Sequence, residues 1–158
     1  MTFVHQAVAA VVLVTLTLSF QCAGMAALIY FAKSNFGPGG HRHGALRSTL
    51  LLVRFTTVMF VLHILQILLW AGFYRWNCFP SWESAFYFSA TSYSTVGYGD
   101  LVLPAIWRTL GPLESVTGVL MCGLSASLLF AIVTFLVQRE DPMLKPPGGS
   151  FPTGGQTT

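Results

Sequence analysis

The stretch Ser94-Thr95-Val96-Gly97-Tyr98-Gly99-Asp100 decides how the rest of the chain is read. Two glycines, Gly97 and Gly99, sit one residue apart. Glycine has no Cβ and takes positive φ at little steric cost, so glycine at every second position lets the backbone alternate its handedness. Alternation of that kind turns successive carbonyls towards the same side and makes a row of oxygens. A Gly-x-Gly pair alone would be read as a soluble tight turn. That reading leaves the long apolar segments on both sides of this stretch unexplained.

Those segments dominate the composition. Of 158 residues, 54% are hydrophobic and only 8% charged, whereas soluble domains carry about 25% charged residues. With a mean hydropathy of +0.67, the chain is written for lipid. A net charge of +3 resting on so few charges says little about nucleic acid. No interleaved aromatic and basic stripe is present, so no nucleic-acid partner is expected. Cys22, Cys78 and Cys122 lack metal-ligand spacing, and an odd number cannot pair completely within one chain. Cys22 and Cys122 fall inside apolar runs and are expected to be small buried hydrophobes. Cys78 lies in a link and is expected as a free thiol, the alternative being a disulfide to its copy in a neighbour. No Ser/His/Asp, paired-carboxylate or metal constellation appears at usable spacing, so neither an enzyme nor a bound cofactor is expected.

The first apolar run, 7–32, is long enough to cross a bilayer at about 1.5 Å per residue. No Lys or Arg precedes it and its apolar core is too long for a signal peptide, which predicts a retained transmembrane helix within 1–33. Residues 34–45 are a Gly/Pro-rich loop. Lys33, Arg42 and Arg47 make this the most basic connection, hence cytoplasmic. His41 and His43 flank Arg42, but with no carboxylate or thiol beside them they are a poor ligand set or sensor and read as solvated loop. The second run predicts a helix over 49–74. Arg54 lies about one turn inside its cytoplasmic end and can snorkel to the headgroups. No basic repeat of the voltage-sensor kind follows it. Thr56, His63, Gln66 and Trp70 share one face of this helix. Polar groups at mid-bilayer depth avoid lipid, so the stripe is expected to pack on an antiparallel first helix near Thr17. Its expected role is helix-to-helix glue, with a proton-linked gate at His63 as the alternative.

Ser81, after Pro80, is an N-cap candidate, and Glu83 suits the first turn of a helix. The helix predicted over 82–94 has about thirteen residues, too few to cross a membrane but suited to a re-entrant element. Residues 101–111 return to the surface, with Trp107 and Arg108 as interfacial anchors. Pro112 and Glu114 fit the first turn of a last helix over 112–138, the carboxylate complementing its dipole. Ser125 and Ser127 on it lie about 200° apart and face different ways. Residues 140–158, rich in Pro, Gly and Thr, read as a disordered tail.

Residues 95–100 spell T-V-G-Y-G-D, which resembles the selectivity-filter signature of the potassium-channel superfamily. The resemblance covers about 46–139 as a pore domain: outer helix, pore helix 82–94, filter 95–99 and inner helix. It implies an all-α membrane protein with three transmembrane helices, a re-entrant pore helix and a filter. The N-terminal helix is then an addition to the two-helix plan, and too little to be a four-helix sensor domain. The function implied is passive, selective K+ conduction through a homotetramer of a small bacterial-type channel. Oxygens of Thr95, Val96, Gly97, Tyr98 and Gly99 from four copies would replace the ion's hydration shell, whose bare Born cost is about 20 kcal/mol. K+ would sit at Thr95, Val96, Gly97 and Tyr98, with Val96 and Tyr98 turned outward as a wall.

The same resemblance makes Asp100 a support and cation attractor at the outer mouth. Tyr87 and Phe88 match an aromatic cuff, and Gly118 lies near a gating hinge, with close packing as its other reading. Thr91 stands where prototype bacterial members carry a glutamate paired with the aspartate after the filter. That departure removes the basis for a carboxyl-pair control of inactivation. In the superfamily the pore loop enters from outside, which implies an external N-terminus and a cytoplasmic C-terminus. The location implied is a cell membrane, bacterial cytoplasmic by the small size. Partners implied are potassium ions, the lipid bilayer and further copies of the chain, with no cofactor besides the permeant ion. A weakly selective cation channel and a non-conducting membrane partner that keeps the pore-loop fold are the alternatives.

Overall fold

A computed structural model describes residues 2–35 and 45–140. The readings placed on His41, Arg42 and His43, and on the tail beyond 140, lie outside these residues. The described residues form four helices: α1 (Thr2–Asn35), α2 (Ala45–Asn77), α3 (Trp82–Tyr93) and α4 (Leu110–Glu140). No strand occurs among the described residues. Within α1, α2 and α4 lie three stretches long and apolar enough to cross a membrane: Val4–Phe31, Thr49–Asn77 and Leu110–Phe135. The fold is therefore that of an all-α, multi-pass membrane protein. With 12 residues, α3 is about 18 Å long, well short of a hydrocarbon core about 30 Å thick.

Each long helix overruns the segment that hydropathy marks. Apolar residues report the length in contact with lipid, whereas i→i−4 hydrogen bonding continues into the interface until something stops it. Lys33 and Arg47 consequently lie in the ends of α1 and α2 rather than in a loop. Arg54 lies nine residues beyond the first residue of α2 but only five beyond the start of its membrane-length stretch, about one turn inside as expected. Its Cζ lies 4.4 Å from the centroid of the Phe31 ring on α1, a cation–π contact between the two helices.

Side-chain pairs fix the helix directions. Trp70 Nε1 donates to Thr17 Oγ1 at 3.0 Å and Gln66 Nε2 to Gln21 Oε1 at 2.7 Å, so α1 and α2 are antiparallel. Thr109 donates to Gln6 at 2.5 Å and Gln21 to Ser125 at 2.8 Å, so α1 and α4 run parallel. The polar stripe of α2 does bind α1 at Thr17, as its position on one face predicts. Thr56 is the exception and is exposed. The apolar core is layered along the bundle. One end packs Trp70, Tyr74, Ala85 and Leu110, the middle Ile67, Tyr93 and Met121, and the other end Leu28, Phe55 and Met59. Trp107 joins the first layer with its ring edge-on to Phe73 at 5.1 Å.

Cys22 and Cys122 correct the expectation of burial: both are exposed on the single chain. In lipid an apolar run is not evidence of an inward face, because outward positions are apolar too. Cys78 is a free, half-buried thiol, and burial pushes its pKa up to about 11.

Replacing Trp70 by Phe keeps the ring packing but removes the N–H given to Thr17. We expect a loss of about 1 kcal/mol, read as a lower unfolding midpoint in detergent. An unchanged midpoint would show that this bond contributes nothing to the α1–α2 contact.

Candidate functional site

The short helix α3 is set at both ends by hydrogen bonds that the local sequence supplies. At its start Ser81 is extended (φ −124°) and its Oγ accepts from the Ser84 N–H at 3.1 Å, a normal N-cap. At its far end the last turn leaves carbonyls without intrahelical partners. The segment that follows takes three of them. Ser94 N–H binds Ala90 O at 3.1 Å, Thr95 N–H binds Ser92 O at 3.0 Å and Gly97 N–H binds Thr91 O at 3.0 Å. The T-V-G-Y-G-D segment is thus tied directly to the end of α3.

Its backbone alternates. Positive φ occurs at Thr95 (63°), Gly97 (52°) and Gly99 (81°), every second residue. The glycines were legible, but Thr95 was not. A β-branched residue at positive φ is an outlier that costs about 1–3 kcal/mol. Only the two-residue period of the motif, carried back one step from Gly97, would have pointed to it.

Residues 94–100 are all exposed on the single chain, Val96 by 52% and Tyr98 by 72%. The Tyr98 ring stacks on Tyr87 of α3, with centroids 6.5 Å apart and planes 12° from parallel. A hydrogen bond to Asp100 raises the Tyr87 phenol above its ordinary pKa. Tyr87, Tyr98 and Asp100 therefore form one group at the exposed end of the segment. Phe88 does not join them. It turns into the helix core, edge-on to Tyr74 at 5.1 Å and tilted against Phe79 at 5.5 Å. Thr91 donates to the Phe88 carbonyl of its own helix at 3.0 Å. A cleft of about 680 Å³ opens between the segment and the head of α4, lined by Thr95, Gly97 and Gly99 on one side and Pro112 and Ser115 on the other. Among the described residues no group of three or more His, Cys, Asp or Glu could hold a metal ion. What 95–99 offers an ion is backbone oxygen and the Thr95 hydroxyl.

Behind α3 lies a second constellation that sequence reasoning missed. Glu114 belongs to the second turn of α4 and is fully buried, so its assignment to the helix dipole is corrected. It binds Tyr74 OH through Oε2 at 2.8 Å and Ser89 Oγ through Oε1 at 2.5 Å. Ser89 Oγ also reaches the Ile67 carbonyl at 2.9 Å. One hydroxyl proton cannot serve two acceptors. A neutral Glu114 resolves the count: it donates to Ser89, Ser89 donates to Ile67, and Tyr74 donates to Glu114. Two further contacts from α4 hold the end of α3. Ser115 Oγ donates to Ser92 O at 2.7 Å. A Cβ at Gly118 would fall 2.1 Å from Tyr93 O, so only glycine admits this approach.

The sequence model of the ion channel family matches residues 50–135. The match takes in most of α2, all of α3 and the exposed segment, and α4 as far as Phe135, and it leaves α1 outside. Neither a curated protein nor a solved structure matches the chain.

Glu114→Gln keeps a donor for Ser89 and an acceptor for Tyr74 and should leave the unfolding midpoint nearly unchanged. Glu114→Ala strands both partners and should cost about 1–3 kcal/mol. Equal effects of the two variants would contradict the neutral, bridging carboxyl. Gly118→Ala should cost about 1–3 kcal/mol by forced separation of α3 from α4, read in the same thermal assay.

Proposed function

Because this chain belongs to the ion channel family and is a small member of the potassium-channel superfamily, we propose that it conducts K+ selectively and passively through a pore of four identical chains. The reading is carried by one observation. The segment 95–99 alternates its backbone, is anchored to a buried helix end, and yet is left entirely exposed by the single chain. A ribbon of carbonyls on one chain surrounds nothing, and a ring needs several copies. Four such ribbons would offer stacked rings of oxygen from Thr95, Val96, Gly97, Tyr98 and Gly99 in place of hydration water. Each binding site stays weak enough to release its ion because ions entering behind repel those ahead.

The other parts take roles around that ring. α3 would point its negative C-terminal end towards the axis, where a cation in a water-filled cavity is stabilised. Tyr87 would brace the ring through Tyr98, and Asp100 would add negative charge at the mouth. The exposed apolar face of α4, with Leu113, Val116, Leu120 and Leu124, would meet neighbouring copies and line the inner cavity. Gly118 fits close packing as it stands, and a hinge there is a further proposal on the same helix. Three spans put the two ends of the bundle's path on opposite sides of the membrane. Lys33 and Arg47 at the ends joining α1 to α2 favour a cytoplasmic connection, an external N-terminus and a cell-membrane location.

Reconstituted in liposomes, the protein should pass K+, be blocked by barium, and give a K+/Na+ bi-ionic reversal potential displaced towards K+. Alanine at Gly97 or Gly99 meets no atom within 4 Å in one chain but must adopt positive φ. Gly97→Ala or Gly99→Ala should therefore abolish flux by torsion while the oligomer still assembles. Undiminished flux in both variants would remove the filter assignment. A reversal potential near zero would make the protein a weakly selective cation channel, and no flux from the wild type would make it a non-conducting partner.

A further inference from the structure

We propose that the additional helix α1 takes part in holding the ion filter, through a closed ring of side-chain hydrogen bonds in which Gln21, Gln66 and His63 are positioning residues. The inference rests on the filter reading above.

The ring is traced atom by atom. Gln66 Nε2 donates to Gln21 Oε1 at 2.7 Å, and Gln21 Nε2 donates to Ser125 Oγ at 2.8 Å. Ser125 Oγ lies 3.0 Å from His63 Nε2, and His63 Nδ1 lies 2.9 Å from Tyr93 OH. Tyr93 OH donates to Gln66 Oε1 and closes the circuit. All four helices contribute: Gln21 from α1, His63 and Gln66 from α2, Tyr93 from α3 and Ser125 from α4.

With the Gln21 and Gln66 amides oriented as traced, proton counting gives the ring one direction. Tyr93 spends its single proton on Gln66, so its oxygen must accept from an Nδ1–H of His63. Nε2 is then the acceptor, and the Ser125 hydroxyl, which already accepts from Gln21, donates to it. Every donor points the same way round, and His63 is a neutral imidazole in the Nδ1–H form. Hydrogen bonds in such a chain polarise one another, so the circuit is stiffer than its separate bonds. Gln21, Gln66, Tyr93 and Ser125 are all buried, so a group that loses its partner bears the cost of an unsatisfied buried polar atom.

Tyr93 links the ring to the filter. It is the last residue of α3, two before Thr95, and its carbonyl is the atom seated against Gly118. A shift of the phenol therefore moves the carbonyl end of α3 that the Thr95 and Gly97 N–H groups hold. Gln21 reaches the ring from outside the segment 50–135 that the family shares. The added helix thereby gains a hold on the ion site that simple adhesion to α2 would not give it.

The test compares Gln21→Leu, Tyr93→Phe, His63→Phe and His63→Gln in liposomes, reading K+/Na+ reversal potential and barium block. Gln at 63 retains one donor and one acceptor and serves as the rescue. We expect Gln21→Leu, Tyr93→Phe and His63→Phe to shift barium affinity by about tenfold or more, as outer-shell changes do around bound ions, and to bring the reversal potential towards zero. His63→Gln should stay close to wild type. Assembled variants with wild-type selectivity and block would overturn the proposal. For any variant that does not assemble, nitrogen NMR of His63 in the wild-type protein decides. A single neutral tautomer is expected, Nδ1–H for the circuit traced above and Nε2–H for the same circuit run in reverse, and an imidazolium or a mixture of tautomers would overturn the ring. Wild-type protein that passes no K+ would instead overturn the channel reading, so the two failures are distinguishable.

Discussion

Backbone polar groups at a helix end need partners from elsewhere, and the end of α3 is where this chain meets that constraint most directly. A helix that stops leaves carbonyls unpaired, and the non-helical segment that follows brings unpaired N–H groups. Here each deficit answers the other. Carbonyls of Ala90, Thr91 and Ser92 receive the N–H groups of Ser94, Gly97 and Thr95. The placement of α3 then becomes the task of the rest of the bundle. α2 and α4 grip it through Tyr74, Glu114 and Ser89 behind, and through Ser115 and Gly118 at its tip.

The bundle buries polar groups beside its apolar core and turns apolar residues outward. Thr17, Gln21, Gln66, Ser89, Glu114, Thr117 and Ser125 are buried, whereas Val, Leu and Phe cover much of the outer face. Apolar association gains little when the surrounding solvent is itself hydrocarbon, so close approach and interhelical hydrogen bonds select the register. The antiparallel fit of α1 on α2 follows from Trp70–Thr17 and Gln66–Gln21, not from any difference in greasiness between faces.

What was legible in the sequence follows from this logic. Long apolar runs marked the three spans, Ser81 marked the start of α3, and the spacing of His63, Gln66 and Trp70 marked a protein-facing stripe with Thr17 opposite it. Such features depend on local spacing. The parts that stayed hidden depend on which distant residue arrives. Glu114 looks like an ordinary first-turn acid until Ser89 and Tyr74 close around it. Tyr93 looks like one more aromatic of α3 until His63 and Gln66 meet its hydroxyl. Cys22 and Cys122 misled because hydropathy cannot tell the two sides of a helix apart when both are apolar. The positive φ of Thr95 had no compositional signal, since threonine is among the residues least suited to it.

That threonine gives the exposed ribbon a mechanical character. Its left-handed torsion is a wound spring, and the three N–H···O=C ties to α3 are the catch that keeps it wound. Slackening any tie leaves stored torsion ready to drive the ribbon out of its alternating shape. The chain has therefore placed a strained torsion beside the point where its buried polar contacts converge.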